Sequence, residues 1–153
     1  MEKTLVILKP SALKRNLIGE ITRRFEQKGL QLAGIKMMRL DDEILDIHYS
    51  HLKNKPFFAE VKESMKICPV IVQCWVGVDA INVVRKMTGT TNGREAGPGT
   101  IRGDFSVSVQ ENIVHASDSM ESAKTEIKRF FADEELFDYK IAASDVLYSN
   151  SEF

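Results

Sequence analysis

Among three histidines in 153 residues, His115 stands where phosphate chemistry could occur. It ends a short apolar run, Asn112-Ile113-Val114, and precedes Ala116-Ser117-Asp118, whose serine and aspartate suit a helix start. The glycine-rich stretch before it carries Arg94 and Arg102, with Thr91 between Arg102 and Arg85. A guanidinium binds phosphate oxygens in bidentate fashion and keeps its charge, and glycine lets backbone approach a ligand closely. Taken singly, each cation reads as a solvated surface charge and His115 as a hydrogen-bonded core histidine. Brought together with Lys9, they would form a phosphoryl-transfer site. Neutral imidazole, with an ordinary pKa near ~6.5, is a nucleophile that can split one transfer into two through a covalent intermediate. His48 and His51, three apart on an expected helix, show no third ligand of metal-binding spacing and read as solvated or partly buried helix residues. The chain lacks GxxxxGK followed by Ser or Thr, lacks GxGxxG after a strand, and lacks the protein-kinase motif set. Side chains, rather than a glycine-rich cradle, must therefore hold any phosphate.

The elements that must position these residues follow from periodicity. Lys3–Leu8 is β-rich and closed by Lys9-Pro10, which predicts a first strand. Leu17, Ile18, Ile21, Phe25 and Leu30 recur at helical spacing, predicting a helix over 12–28 with Gly29 as its C-cap. A second strand is expected over 31–39, a helix over 43–52 capped by Asp41 or Asp42, and a short helix over 57–66. Pro69–Val76 reads as a buried strand, and Asp79 as the cap of a helix over 80–87. Residues 88–111 read as a long functional loop, 112–115 as a very short strand, and 119–130 as a helix capped by Ser117 or Asp118. The tail after 133 alternates polar and aromatic residues and carries no readable element. The order β α β α(α) β α loop β α implies an α/β or α+β class with helices packed on a sheet.

Composition excludes several partners. Twenty-one basic and 22 acidic residues give a net charge of −1, so nothing global draws the chain to nucleic acid or an acidic membrane. No apolar run approaches the roughly 20 residues that span a bilayer. Residues 1–4 lack signal-peptide character, so the expectation is a cytoplasmic protein. Cys68 and Cys74 do not suggest a disulfide: in one strand they would lie about 20 Å apart. No internal repeat or linker is visible, so one domain over 1–153 is expected.

These residues also carry a resemblance. NIVHASD is similar to the active-site signature of the nucleoside diphosphate kinases, in which Asn-x-x-His is followed by Gly or Ala and then Ser-Asp. PGTIRGDF (98–105), GEITRRFEQKGL (19–30), HYSHLKNKPFF (48–58) and VGVDAINVVRKMTGTTN (76–92) resemble that family in order and spacing. The likeness runs from Lys3 to about Tyr148. It implies a ferredoxin-like sheet of four antiparallel strands with helices on one face. It implies transfer of the terminal phosphate of a nucleoside triphosphate to a nucleoside diphosphate, with His115 as the acceptor that becomes phosphohistidine. Lys9, Arg85 and Arg102 match the family's phosphate-binding cations, Tyr49 the aromatic hydroxyl beside the phosphate, and Thr91 and Asn112 polar contacts to phosphate and sugar. Phe57 matches the aromatic on which the base stacks, which implies broad base specificity. Glu126 matches the carboxylate that orients the imidazole, and Ser117 the serine beside it. The family uses Mg²⁺, which would be held through nucleotide phosphates rather than by a protein metal cluster. Its members assemble as tetramers or hexamers, without membrane or obligatory nucleic acid. Two departures are visible. Lys9-Pro10-Ser11-Ala12 stands where the family usually has KPDG, and Asn92-Gly93 where it often has Asn-Pro. Glycine frees φ where proline would fix it, so a more mobile loop is expected. The tail is longer than in short bacterial-type members, which leans toward the hexamer.

Overall fold

The computed structural model describes residues 1–152; Phe153, the last residue of the expected domain, lies outside them. Four strands, β1 (Glu2–Leu8), β2 (Gln31–Met38), β3 (Val70–Gly77) and β4 (Val114–Ala116), form one sheet in the order β2-β3-β1-β4. Every adjacent pair is antiparallel. Eight helices accompany them: α1 (Pro10–Lys14), α2 (Ile18–Lys28), α3 (Asp42–His48), α4 (Phe58–Lys66), α5 (Ala80–Thr88), α6 (Ile101–Phe105), α7 (Met120–Phe130) and α8 (Ser144–Leu147).

Alternation along a strand sends successive side chains to opposite faces. Leu5 and Ile7 of β1 join Val72 and Cys74 of β3 in one buried cluster with Leu45, Met65, Ile127 and Phe130. Val6 and Leu8 join Ile71 and Trp75 in a second, with Ile21, Phe25, Ala80 and Val84. Helices thus cover both faces of the sheet, rather than the one face that the resemblance implied. The reason is legible in β1 itself, where every residue from Thr4 to Leu8 is buried and both faces need cover.

Several boundaries differ from the periodic reading. The helix expected over 12–28 is two, α1 and α2, because Asn16 takes a left-handed φ of 56°. The helix over 43–52 ends at His48, and a 3-10 turn, Ser50–Leu52, follows. Asp41 caps α3 by accepting from the Ile44 N–H at 2.9 Å. Asp79 makes no such cap and binds the Asn82 side chain. Ser119, not Ser117 or Asp118, caps α7. The last strand begins two residues later than expected, at Val114. Both thiols are free, Cys74 within β3 and Cys68 before it.

Two segments without periodicity are held by tertiary contacts. The tail lies along β2, one of the two edge strands: Phe137 N–H donates to Ala33 O at 2.8 Å, and Tyr139 Oη to Leu32 O at 2.7 Å. The long loop contains α6, capped by Thr100. Gly93 is fastened rather than loose. Its N–H donates to Ser108 O at 3.0 Å, a bond that proline could not make. A Cβ there would lie 2.4 Å from Ser106 Oγ and 2.5 Å from Ser106 O. Gly93→Ala is therefore expected to destabilise the protein by about 1–3 kcal/mol through overpacking. Denaturant unfolding at constant slope measures it; an unchanged midpoint contradicts the tight fit.

Candidate functional site

The antiparallel register places His115 opposite Ile7, so the short edge strand β4 holds the imidazole beside the interior strand β1. His115 lines a cavity of about 980 Å³, together with Lys9, Tyr49, Arg85, Thr91 and Arg102. Phe57, Asn112 and Glu126 also line it, so the structure gathers there every expected site residue except Ser117, which lies beneath, fully buried. Arg94 does not line the cavity.

His115 Nε2 lies 3.0 Å from both oxygens of Glu126, in the second turn of α7. A carboxylate only accepts, so Nε2 carries the proton and the Nδ1 lone pair is left available. Ser117 Oγ donates to Glu126 Oε2 at 2.6 Å and accepts from Leu5 N–H at 3.2 Å. This links β1, β4 and α7. Burial opposes ionisation of Glu126; the bonds from His115 and Ser117, with the charge of Arg129, outweigh it and hold the carboxyl below its ordinary value.

The cations are arranged differently from one another. Lys9 follows β1 and donates from Nζ to Asn112 Oδ1 at 2.6 Å. Burial, with Arg102 nearby, pushes its ammonium down to about 8. Asn112 in turn donates to Thr91 O at 3.1 Å and Val109 O at 2.8 Å, tying the long loop to β4. Arg102, on α6, is buried and donates to three backbone carbonyls: Asn112 O (3.2 Å), Gly89 O (2.8 Å) and Val114 O (2.7 Å). A guanidinium has five N–H groups, so part of its donor fork is spent on the backbone. Burial and the neighbouring Arg85 lower its pKa to about 10. Arg85, in the last turn of α5, is exposed at the rim, as is Thr91 in the loop that follows. Phe57, just before α4, offers a ring 43% exposed. Tyr49 is buried, its hydroxyl has no hydrogen-bond partner among the described residues, and burial pushes it up to about 12.

Sequence reasoning missed two residues. His48, expected with His51 to be a solvated or partly buried helix residue, is buried and stacks edge-on against His115 at 4.6 Å between ring centroids. Arg129, in the last turn of α7, lies 3.0 Å from His48 Nδ1 through Nη1. Nothing local marks either one, because the partners come from α3, β4 and α7. The expectation that no metal-ligating cluster exists is also corrected by geometry. Ligand atoms of His48, His115 and Glu126 lie within 4.8 Å of one another. The hydrogen bonds between His115 and Glu126 and the adjacent Arg129 cation favour the metal-free arrangement, since a dication would displace the first and be repelled by the second.

The different duties of the two arginines are separable. Arg102→Gln strands buried carbonyls and is expected to cost about 2–4 kcal/mol of stability, whereas exposed Arg85→Gln is expected to stay within about 0.5 kcal/mol of the parent. Thermal or urea unfolding of both variants checks this; equal losses contradict the assignment of Arg102 as a structural tie.

Comparison with known proteins agrees with this geometry. A family model described as Nucleoside diphosphate kinase matches residues 2–136. The nucleoside diphosphate kinase of Parabacteroides distasonis is 67% identical over 153 residues, covering all of both chains. Among solved structures, a halophilic nucleoside diphosphate kinase from Halobacterium salinarum in complex with CDP superposes with a TM-score of 0.94 at 40% identity, covering 97% of this chain and 99% of that one. The nucleoside diphosphate kinase of Encephalitozoon cuniculi gives 0.89 at 44%, covering 97% and 100%. With a four-stranded antiparallel sheet, a histidine held by a carboxylate among converging cations, and full-length relatives at this identity, the chain belongs to the nucleoside diphosphate kinase family.

Proposed function

We propose that this chain, acting as one domain over residues 1–153, moves the terminal phosphate of a nucleoside triphosphate to a nucleoside diphosphate through phosphorylated His115. The observation that carries the reading is the His115–Glu126 pair, which leaves the Nδ1 lone pair of a cavity-lining residue available among Lys9, Arg85 and Arg102. Nδ1 attacks the γ-phosphorus, the N–P bond forms as the bond to the β–γ bridging oxygen breaks, and that oxygen leaves on the diphosphate. The reverse step hands the phosphoryl group to a second diphosphate. The cations meet the charge on the transferring group, and the Tyr49 hydroxyl and Asn112 complete the polar contacts.

Phe57, exposed at the rim, stacks the base. Stacking reads no base edge, so specificity is broad. Thr91 contacts phosphate or sugar. Mg²⁺ is proposed to arrive with the nucleotide, where it would neutralise phosphate charge. The chemistry of the donors fits a hard cation, since Asp118 and Glu121 line the cavity with carboxylate oxygens. Assembly as a tetramer or hexamer is proposed as well, supported by Ile35 and Met37 standing 50% and 61% exposed on the edge strand β2. No helix among the described residues is long and apolar enough to cross a membrane; the cytoplasm is the compartment proposed, on the strength of the family.

Lys9 gives the reaction a pH limb. Its folded-state pKa, about 8, lies below its ordinary 10.5, so charging this lysine costs stability at low pH. That cost is relieved as pH rises through about 8 and the charge is lost. In the free enzyme kcat/KM is therefore expected to fall on the alkaline side from about pH 8, because a phosphate-binding cation disappears. Lys9→Arg should remove the limb; an unchanged limb assigns it elsewhere.

The central expectation concerns the intermediate. With labelled triphosphate and no acceptor, the enzyme should take up about one phosphate per chain, lost in mild acid and stable in alkali as a phosphoramidate is. The label should pass to added diphosphate with parallel double-reciprocal lines. His115→Ala should abolish labelling and turnover, while Ser117→Ala keeps the label. Intersecting lines with an unlabelled enzyme would mean direct transfer between two bound nucleotides.

A further inference from the structure

His48 is the polar group at the site that the proposed chemistry leaves without a task. It is the last residue of α3, is only 5% exposed, and lines the cavity. Its ring is clamped edge-on by His115 (4.6 Å), Tyr49 (4.8 Å) and Phe130 (5.3 Å), so it has little room to turn. Arg129 Nη1 lies 3.0 Å from Nδ1. A guanidinium can only donate, so Nδ1 must be the unprotonated nitrogen of a neutral ring, and the proton sits on Nε2. Nε2 is buried and has no hydrogen-bond partner among the described residues. A buried N–H without a partner is costly, so this tautomer persists because the Arg129 donor on Nδ1 enforces it. The groups around the ring reinforce its neutrality. Burial comes first, then His115 on β4, Arg129 on α7, His51 on the 3-10 turn and Lys9 after β1. Tyr49 adds a neutral hydroxyl held in its protonated form, and the one nearby carboxylate, Glu126, is engaged by His115 and Ser117.

We infer that Arg129 is a positioning residue for the transfer reaction: by donating to His48 Nδ1 it fixes that imidazole in the neutral Nε2–H tautomer against His115. The imidazole packed edge-on against His115 then stays uncharged. Without that donor the ring is free to change tautomer or take up a proton, and a protonated His48 would place a charged imidazole against the nucleophile. Arg129 acts through His48. This inference rests on the reading of His115 as the phosphate carrier, and extends it to a residue without a place in the carrier chemistry.

The test uses the full chain with ¹⁵N-labelled histidine and long-range ¹H–¹⁵N spectra. In the parent, His48 is expected to show an unprotonated Nδ1 and a protonated Nε2, unchanged across about pH 5–9, the range in which an ordinary histidine titrates. Arg129→Met keeps the apolar stem and removes every donor. It is expected to mix the tautomers or let His48 titrate, and to slow single-turnover phosphorylation of His115 by about 10- to 100-fold, the scale of a lost charge-assisted hydrogen bond. Half-saturation by triphosphate should stay within about twofold, since the loss is in the chemical step. Arg129→Lys, which retains a donor, should restore most of the rate and the parent spectrum. A parent His48 protonated on Nδ1 overturns the inference, and does so even where Arg129→Met fails to fold. So does a variant in which rate or spectrum changes without the other. An Arg129→Lys that folds and restores neither overturns it too. Failure of the carrier reading shows separately, as a parent enzyme that takes up no acid-labile phosphate while its His48 spectrum is as described.

Discussion

The site is organised by one carboxylate. Glu126 accepts from His115 on the strand before it and from Ser117, which in turn accepts from the backbone of β1. A carboxylate this withdrawn from water is costly unless its lone pairs are met, and here donors from β4 and from the residue that follows it meet them. The same bonds that make the charge tolerable also decide which imidazole nitrogen is protonated. Orientation of α7 on the sheet, the tautomer of His115 and the seating of β4 beside β1 are therefore consequences of a single interaction. Helix α7 is long enough to carry a second fixed point: its last turn brings Arg129 to His48, so both imidazoles of the stacked pair are set from one helix.

A second constraint is electrostatic. Lys9 and Arg102 are both held below their ordinary pKa values by burial and by neighbouring positive charge. Such a cluster is under tension until an anion enters, and the free energy recovered on neutralisation is then available for binding and for the charge that develops in transfer. The chain reaches this state without a glycine-rich phosphate loop. Its glycines serve the loop's own packing, as Gly93 does against Ser106, and phosphates are left to side chains.

Backbone strain is stored beside the nucleophile. Ile113 adopts φ 74°, an unusual conformation for a β-branched residue, at the centre of a turn in which Val114 N–H donates to Asn112 O at 2.8 Å. Such a residue costs about 1–3 kcal/mol and persists only where its surroundings over-determine it. Those surroundings are identifiable. Lys9 N–H donates to Ile113 O, and Arg102 binds the carbonyls on either side of that residue. The groups proposed to grip phosphate are also those that hold the strained turn presenting His115. Ligand binding and nucleophile placement are mechanically joined.

By itself the sequence determined a good deal here. Strands β1 and β3 were legible because both are near-continuous apolar runs, and α4, α5 and α7 because their apolar residues repeat at helical spacing. The signature around His115 pointed to the histidine, and the family resemblance to Lys9, Arg85, Arg102 and Glu126. Local pattern did not show that helices cover both faces of the sheet, that Asn16 divides the first helix, or that the tail runs along β2. Each of these depends on contacts between residues far apart in sequence, which no window of periodicity contains. The same is true of His48 and Arg129. A histidine ending one helix and an arginine ending another read as solvated charges, and only the packing of α3 and α7 against β4 brings them together, because proximity in space is set by the whole fold rather than by spacing along the chain.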